Sequence, residues 1–389
     1  MKSTLKRTWA EIDLSALSYN YKKIRQHIGD DVKFCGVVKA DAYGHGAVMV
    51  AEKLESLGAD YLAVSSIDEA MELRFNGITM PILILGHTPK EQVDRLICLN
   101  ITQAVTCEAK AVEYSEEAVK YGGTLKIHIK VDTGMSRLGY ICEGDYFEHG
   151  VDGIVDACSM PGLYAEGIFT HFAVSDESGE ECRKYTDHQL SLFTDVVSAV
   201  EKKLNKRFKI RHCANTGATV ELPGSWLDMV RPGLLLYGYG EFAAKLGLKP
   251  VMTMKTTIST IKIYPAVTKI SYGGLYTTDK TTRIGVVPYG YADGFMRTLS
   301  NRYSVMTSEG SAQVRGRICM DMCMIDLTDK PGVGVGDEVV IFGPSNPIEK
   351  MAQMADTIPY EIVCAVSKRV HRVYICDGSV VHSELMLRM

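Results

Sequence analysis

The sequence lacks any run of about eighteen consecutive apolar residues, the minimum for a helix that crosses a bilayer, so no membrane span is expected. Its opening, MKSTLKRTWAEIDL, is positively charged but has no apolar stretch behind it, which does not fit a secretory leader and points to a cytoplasmic protein. It also lacks a basic block. The 43 Lys and Arg residues are spread among 47 Asp and Glu, for a net charge of -4, so nucleic acid is not an expected partner. The eleven cysteines form no C-x-x-C pair and are odd in number, which suits free thiols in a reducing compartment. There is no H-E-x-x-H and no tight cluster among the ten histidines, so no metal site is expected. Neither a G-x-G-x-x-G opening a helix after the first strand nor a G-x-x-x-x-G-K-[ST] occurs, which disfavours nucleotides. A small metabolite remains.

What is present is an ordinary globular composition, 46% hydrophobic and 23% charged, over 389 residues, a length that suits two domains of unequal size. Between about residues 32 and 240, apolar runs alternate with helical patterns: VKFCGVVK, YLAVS, PILIL, TQAVT, LKIHIKVD, LYAEGIFT, FKIRHCAN and DMVRP. Eight such βα units suit a closed (β/α)8 barrel of the TIM type; an open doubly wound sheet is the other architecture they allow. Ala47, Val50, Ala51, Leu54 and Leu57 share one helical face, with Gly58 where a C-terminal cap would stand. Ser66-Ile67-Asp68-Glu69 reads as a capping box, and Thr88-Pro89-Lys90-Glu91 as a helix start with proline at the first helical position. After about residue 245, short alternating runs such as TTISTIKIY, TRIGVVPYGY, SAQVRGRICM, DEVVIF and RVHRVYIC predict a second, mainly β domain. The division predicted is a barrel over 11–243 and a β domain over 244–389.

In a parallel barrel the active site lies at the carboxyl ends of the strands. Lys39 ends the run FCGVVK and is followed by a glycine-bearing turn with Tyr43 and His45. On the fifth strand Lys126, His128, Lys130 and Asp132 alternate with Ile127, Ile129 and Val131 and so share a face. Buried polar groups there need partners, and Arg137 is a candidate for Asp132; a structural ion-pair network and a functional cluster are both open. Later strands end near His171, Asn215, Thr216 and Arg231, with Gly217 and Gly233 allowing close backbone approach. The loops after strands seven and eight commonly cradle a phosphate, so backbone N–H groups around Thr216 and Gly233-Leu234 suit a phosphorylated cofactor.

The motifs VVKADAYGHG, KVDTGMSRLG, FTHFA, HCANTGA, RPGLLLYG, SYGGLYT, GYADGF, GRICMD and PYE, in this order over essentially the whole chain, resemble the alanine racemases. That resemblance implies a pyridoxal-phosphate barrel with a C-terminal β domain, working as a head-to-tail homodimer whose active sites take residues from the partner. It implies that Lys39 holds the cofactor and acts as one base, with Tyr272 from the other subunit as the second. Tyr43, Tyr360 and the backbone amides of Thr216, Gly233 and Leu234 would hold the phosphate, Asn215 would belong to the cofactor site, Arg231 would face the pyridine nitrogen, and His171 would lie beside the ring and bond to Arg231. Arg137 would bond the phenolic oxygen and line the substrate site with Met320 and Tyr291, and Lys130 aligns with a lysine that some members carry as a carbamate. The activity implied is interconversion of L- and D-alanine, supplying D-alanine for peptidoglycan.

Three departures stand out: Thr216 where serine is common, Ser136 where glycine is common, and GFMR in place of GYPR. A serine or broad-specificity racemase of the same fold is the alternative, because a small pocket rejects an added hydroxyl weakly. A non-catalytic pyridoxal-phosphate-binding protein would consist of the barrel alone, without the β domain of Tyr272, Met320 and Tyr291. A fold-related decarboxylase would carry a cysteine-centred motif near the C-terminus that this chain does not show.

Overall fold

The computed structural model describes residues 7–385 and falls into two units. Of residues 1–10, which the resemblance groups with the β domain, residues 1–6 lie outside the described residues. Tyr21–Ala42 and Ala47–Leu236 form one unit, and the remaining described chain forms the other.

The first unit is an eight-stranded parallel barrel. Its strands run Lys33–Val37, Tyr61–Val64, Ile82–Ile84, Ile101–Val105, Leu125–Asp132, Leu163–Phe169, Ile210–His212 and Met229–Val230. Each pairs in parallel with the next through the seventh, and the eighth returns to the first with Met229 opposite Lys33. The remaining gap is bridged by two backbone bonds, Asp228 N–H to Arg211 O and Arg231 N–H to Ala214 O, both 3.0 Å. The eight runs therefore close rather than forming an open doubly wound sheet. Continuous Val, Ile, Leu and Ala segments fit this arrangement because a barrel strand is covered on both faces.

The flanking helices largely follow their local signals. Helix Ala47–Ser56 buries Ala47, Val50, Ala51 and Leu54, and Gly58 behind it takes φ +82°, a conformation that glycine adopts without a Cβ penalty. Ser66 caps helix Ile67–Phe75 by accepting from Glu69 N–H, but the reciprocal half of the box is absent. The Glu69 carboxylate instead accepts from Ser65 N–H (2.6 Å) and Ala40 N–H (2.7 Å). Pro89 precedes a short 3-10 turn, Lys90–Gln92, and Thr88 does not cap it. The Thr88 hydroxyl is buried and bonds Gln103 Oε1 at 2.6 Å, because a core polar partner outcompetes exposed helix N–H groups.

In the second unit a seven-stranded sheet runs in the order Gly310–Gln313, Ser304–Thr307, Glu338–Phe342, Met252–Thr257, Thr8–Asp13, His371–Cys376 and Ser379–Glu384. Thr8–Asp13 thus lies between two central strands of this sheet, antiparallel to one and parallel to the other. A three-stranded sheet of Thr260–Tyr264, Thr282–Val287 and Cys323–Asp326 accompanies it. The run SAQVRGRICM is strand only over its first part, since Gly316 turns the chain at φ +75°. Helices Ile348–Ala355 and Pro359–Cys364 complete the unit, the latter with proline at its first position.

Candidate active site

The strand expected to end at Lys39 stops at Val37, and Lys39 opens one turn of helix, Lys39–Gly44. The turn is left-handed: Ala40, Asp41, Ala42 and Tyr43 have φ between +51° and +57°. Each such non-glycine residue costs roughly 1–2 kcal/mol, so the surroundings must hold the turn in place. Glu69 does so from within the barrel by accepting from Ala40 N–H, and Asp41 Oδ1 accepts from Ala47 N–H at 2.8 Å. Charge-assisted bonds of this kind contribute about 1.5–3 kcal/mol each, enough to offset much of the strain. The result is a rigid pedestal that fixes the half-buried Lys39 beyond the carboxyl end of the first strand.

Around the mouth, cations converge. Arg231 is 4% exposed and donates to His212 Nδ1 (2.7 Å), Thr170 O (2.8 Å), Cys213 O (3.2 Å) and His171 Nδ1 (3.4 Å). Lys130 is buried with its Nζ 5.2 Å from the centre of the Phe169 ring, and burial followed by the charge of Arg231 lowers its pKa to about 7. His171 is held well below the usual imidazole range by burial, then by the charges of Arg231, Lys130, Arg137 and Lys39. Those four cations and His171 are therefore electrostatic neighbours. Asp132 does not pair with Arg137 among the described ion pairs. Its Oδ1 accepts from Gly134 and Ser136 N–H, both at 3.0 Å, closing the loop on which Arg137 is exposed.

The phosphate-type donors lie on the next two loops. Asn215 caps helix Thr216–Glu221, whose first-turn N–H groups have no intrahelical acceptor. Gly217 is required there because a Cβ would come within 2.2 Å of Ser175 O. Thr216 Oγ1 accepts from Gly233 N–H at 3.1 Å, tying this loop to the one that carries Leu234. A neighbouring hollow of about 790 Å³ carries Glu177, Glu180, Asp187 and Glu221 on its lining against the single cation Arg183, a balance that disfavours an anion.

The remaining predicted residues belong to the β unit. Tyr43 packs edge-on against Tyr360, with ring centres 5.6 Å apart, and Arg372 anchors this turn by donating to Gly44 O at 3.1 Å. His45 is buried, with Nδ1 3.0 Å from Tyr43 O and its ring beside Tyr237, so it serves packing. Tyr272 is 71% exposed in a turn between the short strands Lys269–Ile270 and Tyr276–Thr277, entered through Ser271 at φ +65°. Ser271 donates to Arg317 O (2.7 Å), Tyr291 N–H to Cys319 O (3.0 Å) and Ala292 N–H to Met320 O (3.0 Å). These bonds link the segments bearing Tyr272, Tyr291 and Met320, all three of them exposed.

Sequence reasoning missed Glu69, His212, Glu166 and Tyr61. His212 lies inside the HCANTGA motif and could have been picked out by alternation; Glu69 was assigned to a cap.

Comparison with known proteins agrees with this architecture throughout. The alanine racemase N-terminal domain model matches residues 12–241 and its C-terminal domain model residues 251–374. The chain belongs to the alanine racemase family. Alanine racemase 1 of Clostridium acetobutylicum is 44% identical over 385 residues, 97% of each chain, and the alanine racemase of Desulfovibrio desulfuricans is 43% identical over 372 residues, 94% of this chain and 98% of that one. Among solved structures, alanine racemase of Clostridium difficile 630 superimposes with a TM-score of 0.92 at 39% identity, covering 100% of both chains. The Bacillus anthracis alanine racemase with bound L-Ala-P gives 0.87 at 33% identity over 98% of each.

Proposed function

We propose that this chain interconverts L- and D-alanine as a pyridoxal-phosphate-dependent homodimer in the cytoplasm, and that the D-alanine supplies peptidoglycan. The observation that carries this reading is the buried Arg231 at the barrel mouth, donating to His212 Nδ1, Thr170 O, Cys213 O and His171 Nδ1 close to the buried Lys130 that lies over the Phe169 ring. A site with so many donors and cations, beside a helix start opened by Thr216 and Gly217, fits a cofactor that bears a phosphate and a phenolic oxygen. When bound, pyridoxal phosphate supplies the electron sink that makes the Cα proton of an amino acid acidic.

The chain's own residues then divide the work. Lys39 Nζ would hold the cofactor and, once displaced by substrate, exchange a proton on one face of Cα. Tyr272 Oη of a second copy would exchange it on the other face, so a proton removed by one base is replaced by the other and the substrate is otherwise unchanged. Arg231, a donor that does not part with its proton, would leave the ring nitrogen unprotonated and the electron sink weak, which limits reprotonation at the wrong carbon. Tyr43, Tyr360, Asn215, Thr216, Gly233 and Leu234 would hold the phosphate. Arg137, with Met320 and Tyr291 of the second copy, would bound the substrate. Lys130 has the lowered pKa that carbamate formation requires, because only a neutral amine reacts with carbon dioxide. The exposed tyrosines and Met320 support a homodimer, and the eleven free thiols support a reducing compartment.

The test is incubation of the purified protein with single L-amino acids while the D-isomer is followed. D-alanine is expected to form fastest. Faster D-serine formation would move the assignment to a serine racemase, and no isomer from any amino acid would leave a binding protein.

A further inference from the structure

The barrel interior holds a row of polar side chains that the proposed chemistry does not use. Arg231 donates to His212 Nδ1 at 2.7 Å; His212 Nε2 lies 2.9 Å from His128 Nδ1; His128 Nε2 lies 3.8 Å from Glu166 Oε2; and Tyr61 donates to that same carboxylate oxygen at 2.7 Å. His128, His212 and Arg231 are essentially sealed from solvent.

The direction of the row follows from donor chemistry. A guanidinium only donates, so His212 Nδ1 must be the acceptor and its hydrogen must sit on Nε2. That hydrogen faces His128 Nδ1, which must in turn accept, leaving the His128 hydrogen on Nε2, aimed at Glu166. Charging either ring would set two N–H groups against each other. Burial lowers the pKa of both imidazoles, with Glu166 opposing it at His128, while His128 and the Tyr61 hydroxyl hold the Glu166 carboxyl below the usual carboxylate range. His128 Nε2 is buried with no hydrogen bond within the protein, so the carboxylate contact is electrostatic.

Two backbone features look built for this row. The ladder between strands five and six slips between Ile127 and His128: Ile127 faces Ala165 and His128 faces Gly167, so Glu166 is the extra residue of a β-bulge. A bulge re-aims the side chain it carries, here onto the face of His128 and Tyr61. At Gly167 a Cβ would stand 2.7 Å from His128 Cε1, so the ring occupies the space a side chain would need.

We infer that Glu166, acting through the ordered imidazoles of His128 and His212, is a positioning residue for Arg231, setting the donor direction of the row and compensating the buried guanidinium from the barrel interior. The inference rests on the reading of Arg231 as the group at the cofactor's ring nitrogen. The described ion pairs give Arg231 no carboxylate, and Glu166 is the acid that the last imidazole of its hydrogen-bonded row faces, at 3.8 Å.

The experiment is side-chain 15N NMR of histidine in the purified holoenzyme, with kinetics on Glu166→Gln and on Tyr61→Phe. Both imidazoles are expected as neutral Nε2–H tautomers in the wild type. Glu166→Gln should disturb the His128 tautomer and lower kcat about tenfold with KM within about twofold, and Tyr61→Phe should do the same to a smaller degree. Tyr61→Phe keeps the carboxylate and so serves if Glu166→Gln does not fold. An imidazolium or an Nδ1–H tautomer at His128 or His212 in the wild type overturns the row itself. A disturbed tautomer with unaltered kcat overturns the positioning role of Glu166 while leaving the reading of Arg231 standing, and that reading fails separately if Arg231→Gln leaves the absorption of the bound cofactor unchanged.

Discussion

The barrel mouth and the Tyr272 face of the β unit are opposite in character. At the mouth Arg231 and Lys130 are buried and polar, held by carbonyls, imidazoles and an aromatic ring, with Lys39 half-buried beside them. On the β unit Tyr272, Met320 and Tyr291 are 71%, 52% and 43% exposed, large and weakly polar, on segments held by backbone bonds. Charge kept from water is costly unless something of opposite sign meets it, and apolar surface kept in water is costly unless something covers it. On the proposed function the first region is met by an anionic cofactor and the second by another copy of the chain. Neither region carries a complete acid–base pair on the proposed mechanism.

Three measurements sharpen this contrast. The largest effect is expected for Lys39→Ala, which should abolish the visible absorption of the bound cofactor and lower turnover by at least about a thousandfold. A variant that kept the wild-type spectrum would remove Lys39 from its role. Next, Tyr272→Phe should slow Cα proton exchange by about a hundredfold or more, and unequally for the two enantiomers; equal loss in both directions would count against two separate bases. Mixing these two inactive variants sharpens the point. If each site takes Lys39 from one copy and Tyr272 from the other, random reassembly should restore about a quarter of wild-type activity, since half of the dimers are mixed and each has one intact site. No recovery on mixing would place both bases in one chain.

The smallest effect is on stability and concerns Lys130. Its folded pKa, about 7, lies below its ordinary value of 10.5, so between those values the unfolded chain binds the additional proton and stability rises with pH. The penalty is fully present below about pH 7. In bicarbonate-free buffer, denaturant unfolding should show wild type gaining about 2 kcal/mol relative to Lys130→Met between roughly pH 7 and pH 9. Parallel curves for the two proteins would mean that the amine is not desolvated.

Much of the architecture is legible in the residues because both-face burial writes continuous apolar runs, and eight such runs stand between residues 32 and 240. The polar face of the fifth strand was legible for the same reason, since strict alternation put His128 and Lys130 together. Alternation also misled. By period two Glu166 belongs on the face opposite Gly167, and only the bulge at His128 brings its carboxylate to Tyr61. The capping pattern at Ser66 was real, but Glu69 was drawn to the strained turn at Ala40, a non-local partner that local spacing does not encode.

Residue order alone indicated most of the strands and helices, because those depend on period and residue type within a few positions. The handedness of the turn behind Lys39, the direction of the histidine row and the partner of Glu69 were decided by tertiary structure. Each of these depends on a donor and an acceptor brought together from distant parts of the chain, where the low polarity of the interior makes an unmet hydrogen bond too costly to leave.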